Sequence, residues 1–537
     1  MSHSSIRRWR FAVLSVTASA LLSACGSAGA TNAAGDGAPR SGGTLTFALA
    51  TDPTCLDPQQ AALNASLNIG RQLVDSLIDQ DPQSGEFKPW LAESWQVNDT
   101  ATSFTFKLKQ GATFSDGTPV DATAVKNNFD AVVRLGAKAA LAASSLAGYT
   151  GTTVVDPYTA RVDFATPSAQ FLQASSTMSL GLLSAASLAK TPEDRCQGAL
   201  IGSGPFTFGS YKANQDVVIK KRAGYAWGSS LWKHTGEAYL DQIDFRIIPE
   251  SGVRAGSLTS GQVSSISDVQ PQDEAQFAGG GFTTLVRGNP GIPFNLSPNT
   301  TRPIISEEPV RQAIQRGINR AEVVTTVLSA NYKAATSALA ASTPGYTDLG
   351  KALSYDPSGA KALLDGAGWL PGADGVRVKG GQRLSVSVVF NTAFNGSQTV
   401  LELVQQQLKT IGVELKLKLL TSGEITKVQA SGDYDFLWFN LTRADPDVLR
   451  TIYSTKASNR AHLKPGPLDD VLTKQASTTD SKLRDDAVTQ AQQQIIEHGY
   501  EIPVFELAQV HGLGATTKGL RFEASSRLTF FDTWLAG

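Results

Sequence analysis

The sequence predicts an α/β fold built as two or more lobes, on three observations. Apolar residues spaced by two and by 3.6 positions interleave through both halves of the chain, the pattern of strands alternating with helices. The chain has 537 residues, well past the size at which a single hydrophobic core stops growing. Its charge is balanced at −1, with no basic block, which excludes the electrostatic footprint of a nucleic-acid binder and a polybasic membrane patch.

Taken from the N-terminus, the first element is a leader. Arg7, Arg8 and Arg10 precede an apolar run from Phe11 to Leu22, which ends in Leu22-Ser23-Ala24-Cys25. Positive, apolar and small residues in that order form a cleaved secretory signal, residues 1–24, and a cysteine directly after the small pair marks Cys25 as the acylated N-terminus of a bacterial lipoprotein. The run is too short for a membrane span, which takes about 20 residues. Gly26 to Ser41 is Gly, Ala, Ser, Asp and Pro with little to bury, so residues 25–41 read as a flexible tether. The protein is expected outside the cytoplasm, held to the cell membrane by lipid.

In the body, Ser103-Phe104-Thr105-Phe106-Lys107-Leu108 alternates like a half-buried strand, and Ala160 to Phe164, Val217 to Lys221 and Leu415 to Leu420 are further strand candidates. Helical spacing is clearest from Val310 to Val327, from Gln398 to Ile411 with Gly412 as its C-terminal cap, and from Gln490 to Glu497. With Cys25 committed to lipid, Cys55 and Cys196 remain. An even pair in an oxidising compartment favours a disulfide, with two separately buried thiols as the alternative.

Hydrolytic chemistry finds no support in the motifs. The mature chain has four histidines, His234, His462, His498 and His511, and no Gly-x-Ser-x-Gly elbow, His-Glu-x-x-His, Cys-x-x-Cys or phosphate-binding Gly-x-x-x-x-Gly-Lys-Ser/Thr loop surrounds them. The expectation is a protein that is not an enzyme and has no cofactor or metal. A secreted lipoprotein hydrolase and a non-transport envelope adaptor are the alternatives.

Phe87-Lys88-Pro89-Trp90-Leu91-Ala92-Glu93-Ser94-Trp95, then Phe104 to Leu108, then Gly111-Ala112-Thr113-Phe114-Ser115-Asp116-Gly117-Thr118-Pro119-Val120 closely resemble the signature of solute-binding proteins of ABC importers, family 5, the oligopeptide-, dipeptide- and nickel-binding type. Ile201 to Phe206, Leu258 to Val263, Pro309 to Ala313 with Ile318-Asn319-Arg320, and Ala360 to Leu364 with Ala367-Gly368-Trp369 match later family segments in order. The resemblance implies a two-lobed periplasmic-binding-protein-like fold of type II, with an extra subdomain and a ligand cleft between the lobes. It implies capture of a peptide-like or other small solute for delivery to permease subunits in the membrane, by a protein expected to be a monomer. Lobe I is then 42–286 with the extra subdomain at about 79–200, lobe II is 287–502, and 503–537 returns to lobe I. The crossings are expected at Arg287 to Asn295 and Tyr500 to Phe505.

The resemblance also implies a ligand site. Asp445 is the counterpart of the aspartate that pairs with a peptide's α-ammonium in oligopeptide binders. Trp438 and Asn440 share a strand face, and Trp438 is either an aromatic wall of the cleft or part of an apolar core. Arg443 either binds a carboxylate or is an idle loop arginine. Opposite them, Asp52 is a pocket-side acid or the start of an Asp-Pro turn, and the Ser203-Gly204 backbone either meets the ligand or forms a plain turn.

Overall fold

The computed structural model describes residues 37–392 and 394–537, so Cys25, the signal and most of the tether lie outside the described residues. Pro39–Gly537 forms one compact unit around two large sheets. The first has seven strands in the order Thr283–Gly288, Ala508–Leu513, Ser265–Ile266, Thr44–Leu49, Gln242–Ile247, Asp216–Lys221, Phe206–Lys212. The second has six, in the order Lys333–Ala334, Ile502–Glu506, Gly291–Pro298, Phe436–Thr442, Ser385–Phe390, Glu414–Leu419. The chain changes sheet twice, at Asn289-Pro290 and at Leu507.

The first change falls inside the stretch expected from the sequence, and the second lies beyond Tyr500 to Phe505. Pro503 does not end its strand, because it only removes a donor. The carbonyl of Pro503 accepts from Arg320 Nε at 2.6 Å, and Phe505 stacks on Phe294 at 4.9 Å, so Ile502–Glu506 stays in the second sheet.

Residues between the first two elements of the first sheet and its Phe206–Lys212 edge build a separate four-stranded antiparallel sheet, ordered Ala92–Val97, Ser103–Leu108, Thr159–Phe164, Tyr149–Asp156. The period-two strand works as its sequence suggests. Phe104, Phe106 and Leu108 are buried, and Phe104 meets Phe164 and Phe171 edge-on at 5.7 and 5.0 Å. Each such phenylalanine contributes about 1.5–3 kcal/mol by leaving water. Helix Ala122–Leu135, capped by the Asp121 carboxylate on the Ala124 amide, lays Val125, Phe129 and Val132 on this sheet.

The expected Val310 to Val327 helix is two. Glu308–Gly317 stops at Ile318 in extended conformation, and the Asn319 side chain caps a new helix, Arg320–Val327, by accepting from the Glu322 amide. Ser397–Lys409 ends near Gly412 at φ 86°, and Ser481–Glu497 extends the third expected helix toward its N-terminus.

Helix Asn64–Leu73 anchors the C-terminal tail. Its Gln72 Nε2 donates to Leu528 O (2.8 Å), Gln72 Oε1 accepts from the Phe530 amide (3.0 Å), and Asn68 Oδ1 accepts from the Leu528 amide (2.9 Å). At the helix end, Gly202 and Gly204 press against Leu73. A Cβ at Gly202 would lie 1.9 Å from Leu73 O, and one at Gly204 would lie 2.5 Å from Leu73 C. Cys55 and Cys196 form a disulfide with Cα atoms 4.1 Å apart, beside a buried Arg195–Asp57 ion pair of 2.6 Å.

Candidate functional site

The two strand exchanges draw polar side chains from distant parts of the chain to one place. Asn289 follows the last residue of Thr283–Gly288, and its Nδ2 donates to Thr442 Oγ1 (2.7 Å), while the Arg443 amide donates to Pro290 O (3.0 Å). Gln80 reaches the same loop, donating from Nε2 to Ala444 O (3.2 Å). Arg287 Nη2 donates to Pro82 O (2.8 Å) and Ala524 O (3.3 Å), and Ser526 Oγ donates to Gly288 O (3.3 Å), which ties the C-terminal tail to the first exchange.

Charge is concentrated here. Arg71 Nε lies 2.8 Å from Glu523 Oε2, with the guanidinium 4.9 Å from the Trp90 ring centroid. Asp79 accepts from Ser229 Oγ (2.5 Å) and from the Gln80 amide (2.8 Å). Burial raises the Glu523 and Asp79 carboxyls above their ordinary range, against opposing pulls from Arg71 on the first and Ser229 on the second. Burial also lowers Arg287 and brings Arg527 down to about 10. Arg71, Asp79, Gln80, Trp90, Trp232 and Glu523 line a cavity of about 10 Å³, roughly what a single water needs.

Buried polar groups are nearly always hydrogen-bonded, and exceptions call for an explanation. Around this exchange Gln80 Oε1, Arg287 Nε, Asn289 Oδ1, Ser342 Oγ, Glu523 Oε1 and Arg527 Nη1 are buried without a protein partner. Acceptors and donors are both represented, so the arrangement suits a ligand that presents both. Among the described residues, no group of three or more His, Cys, Asp and Glu is placed to hold a metal ion.

The residues singled out from the sequence fare differently. Asp445 is 3% exposed and its carboxylate is taken: Arg484 donates to Oδ1 (2.6 Å) and Oδ2 (3.0 Å), and the Asp447 amide donates to Oδ1 (2.8 Å). Trp438 is 4% exposed and lies among core residues. It stacks on Phe294 at 5.2 Å and its Nε1 donates to Ser397 Oγ at 3.1 Å, because both faces of its strand are covered. Asn440 is half-buried on the same strand. Arg443 is buried, not an idle surface group, and donates to Thr451 Oγ1 (2.9 Å) and Ser144 Oγ (3.2 Å).

On the other side, Asp52 accepts from the Thr54 amide (2.7 Å), Tyr211 Oη (2.6 Å) and the Asn214 amide (2.5 Å), so it holds a turn. Ser203 Oγ accepts from the Asp75 amide (2.9 Å), and the Gly204 amide donates to Leu73 O (3.0 Å). The glycine is needed for close approach, but what approaches is the end of a helix. Of the site residues now visible, Arg287 and Asn289 lay within a stretch the sequence marked as a crossing. Arg71, Gln80, Ser342, Glu523 and Arg527 had no local signal, since their meeting depends on the tail returning to the first sheet.

Residues 86–462, more than half of the chain, match the family model of bacterial extracellular solute-binding proteins, family 5 Middle. The glutathione-binding protein GsiB of Escherichia coli K12 is 27% identical over 395 residues, covering 71% of this chain and 70% of that protein. NikA from Brucella suis, solved in complex with Fe(III)-EDTA, has a TM-score of 0.79 at 23% identity over 92% of this chain and 100% of that one. The oligopeptide-binding protein AppA from Bacillus subtilis, solved with a nonapeptide, has a TM-score of 0.76 at 21% identity over 93% and 100%. The fold is that of type II periplasmic binding proteins. The chain therefore belongs to the family 5 extracellular solute-binding proteins, which capture substrate for ABC importers.

Proposed function

We propose that this protein captures a small peptide-like solute at the boundary between its two sheets and hands it to an ABC permease. The observation that carries this reading is the set of buried, unpartnered polar atoms at the strand exchanges, contributed by Gln80, Arg287, Asn289, Ser342, Glu523 and Arg527. The relatives support the ligand class: one is named for glutathione, and another was solved with a nonapeptide. Residues 42–286 with 503–537 would form one lobe and 287–502 the other, opening about Asn289-Pro290 and Leu507. A ligand can favour the closed form only through contacts that the open form lacks. Gln80 Nε2 already donates to Ala444 O across the boundary (3.2 Å), a bond within the protein to which a ligand's own contacts would add.

Binding without catalysis is supported by the histidines. His234 engages Asp532 Oδ1 (2.8 Å) and Glu237 O (2.9 Å), His498 engages Glu308 Oε2 (2.9 Å), His511 is buried with no hydrogen-bond partner, and His462 meets only the Tyr434 phenol (3.1 Å), so among the described residues no histidine pairs with a serine, threonine or cysteine nucleophile. Acylation of Cys25 would hold the monomeric protein at the membrane, and Cys25→Ala should then abolish lipid labelling. Isothermal titration with glutathione, short peptides and ferric EDTA tests the main reading. Saturable one-to-one binding without product formation is expected; turnover of any probe, or binding of none, refutes it.

A further inference from the structure

Besides the Gln80 bond to Ala444, hydrogen bonds at two further points join the four-stranded subdomain to the body of the second sheet. Arg443 Nη2 donates to Ser144 Oγ (3.2 Å) across 299 positions of sequence, and the Ala169 amide donates to Ala476 O (3.0 Å). Ser144 lies in helix Ala140–Ser145 and Ala169 precedes helix Phe171–Ala174, and Ala142, Ala169 and Phe171 belong to the subdomain's own core. On the other side, Arg443 follows strand Phe436–Thr442, and Ala476 ends helix Pro467–Ala476.

Each face is braced from within. Gln170, 3% exposed, donates from Nε2 to Ser145 O and to Ser168 Oγ (both 3.2 Å), which ties the Ser144 and Ala169 segments together. Opposite, Gln475 Nε2 donates to Asp447 Oδ1, and Arg484 Nε donates to Gln475 O (3.3 Å), which ties the end of helix Pro467–Ala476 to the loop after Arg443. The partners also suit a contact that forms and breaks. Ser144 Oγ gives its proton to Leu141 O (2.7 Å), so it meets Arg443 as an acceptor. Arg443 keeps Nη1 on Thr451 Oγ1 (2.9 Å), and the acids that act on it, Asp447 and Asp445, belong to its own side. The last carbonyls of a helix lack partners within it, and Ala476 O takes its donor from the other body. Parting the two faces hands all four groups to water and leaves neither side with an unpaired buried charge.

We propose that the four-stranded subdomain is a clasp: Ser144 and the Ala169 amide grip Arg443 and Ala476 O only in the closed form, so that contacts touching no solute contribute one common factor to the affinity for every solute. This assignment rests on the capture reading above and adds to it a positioning role for Arg443. An interaction made in the closed form alone raises apparent affinity by the extent to which it favours that form, whatever the solute.

Titration of the mature chain with glutathione, Ala-Ala-Ala and ferric EDTA tests it, with the folded fraction followed by calorimetry. Ser144→Ala and Arg443→Gln should each weaken every probe that binds by the same factor, about tenfold, the low end for one hydrogen bond to a charged group. The double variant should lose no more than the larger single loss, because both changes remove the same bond. Ser144→Ala, a small change at a half-buried position, guards against a folding defect at Arg443. Unchanged affinity per folded molecule in both single variants would mean that the contact persists in the open form, and the clasp falls while capture stands. A loss in Arg443→Gln alone, with Ser144→Ala like wild type, would make Arg443 a solute ligand and overturn the clasp. If wild type binds none of the three probes, capture and clasp fall together.

Discussion

Asp445→Asn separates a ligand-binding acid from a structural one. The Asp445 carboxylate is 3% exposed, chelated by Arg484 at 2.6 and 3.0 Å, and accepts the Asp447 amide at 2.8 Å. Asparagine is nearly isosteric, so the packing survives and the charge is lost. Arg484, whose side chain is 16% exposed, is then left largely buried without its partner. Breaking such a pair costs about 3–5 kcal/mol, and the residual exposure of Arg484 argues for the lower end, about 3 kcal/mol. With an unfolding entropy near 2 cal/mol/K per residue, a chain of this length loses about 1 °C per kcal/mol, so Tm should fall by about 3 °C. Arg484→Gln should cost a similar amount. The double variant should cost clearly less than the two added together, because the partners are in direct contact. Differential scanning calorimetry reads the stability, and titration with whichever probe binds reads the affinity per folded molecule, which should stay within about threefold. An unchanged Tm with affinity down tenfold or more would falsify the structural role and return Asp445 to the ligand.

Trp438→Ala should destabilise by about 3–5 kcal/mol, as for other buried aromatics, since the ring stacks on Phe294 and is packed among buried core residues; urea denaturation checks this, and a stable variant with weakened binding would put the indole in the cleft. Reducing the Cys55–Cys196 bond, which closes a 141-residue separation, should lower stability by at most about 5 kcal/mol on chain entropy; Cys55→Ser/Cys196→Ser melting unchanged from wild type would contradict it. Burial pushes His511 down to about 4, so the folded form resists protonation that the unfolded chain accepts below about 6.5. Its contribution is present above that value and is lost as pH falls toward 4, by up to about 3 kcal/mol. Asp75, raised by burial to about 7, acts in the opposite sense: its contribution is full below about 3.8 and fades as pH rises through 7. His511→Phe should therefore lose less stability than wild type between pH 7 and pH 4.5, and an identical loss would show that His511 is not the responsible group.

Some elements were settled by local chemistry alone. Ser103–Leu108 alternates because a pleated strand shows successive side chains to opposite faces, and three apolar residues of that run must leave water whatever lies around them. Gly412 at positive φ and the Asn319 cap follow from what single residues permit, although Asn319 splits a helix whose apolar spacing reads as continuous. The family was legible for a related reason, since its segments are short, contiguous and ordered along the chain. The site was not, because side-chain partners are chosen by tertiary proximity. Asp445 looks like a free acid until helix Ser481–Glu497 brings Arg484 to it across 39 positions of sequence. Trp438 fits a cleft wall as well as a core until Phe294 stacks on its ring and Ser397 takes its N–H. Arg287 and Arg527 lie 240 positions apart and become neighbours only because Leu507 sends the chain back to the first sheet. A sequence fixes which residues can bury, turn or carry charge. Which charge is left without a partner depends on the whole set of long-range contacts, and in this protein those contacts converge where the chain changes sheet.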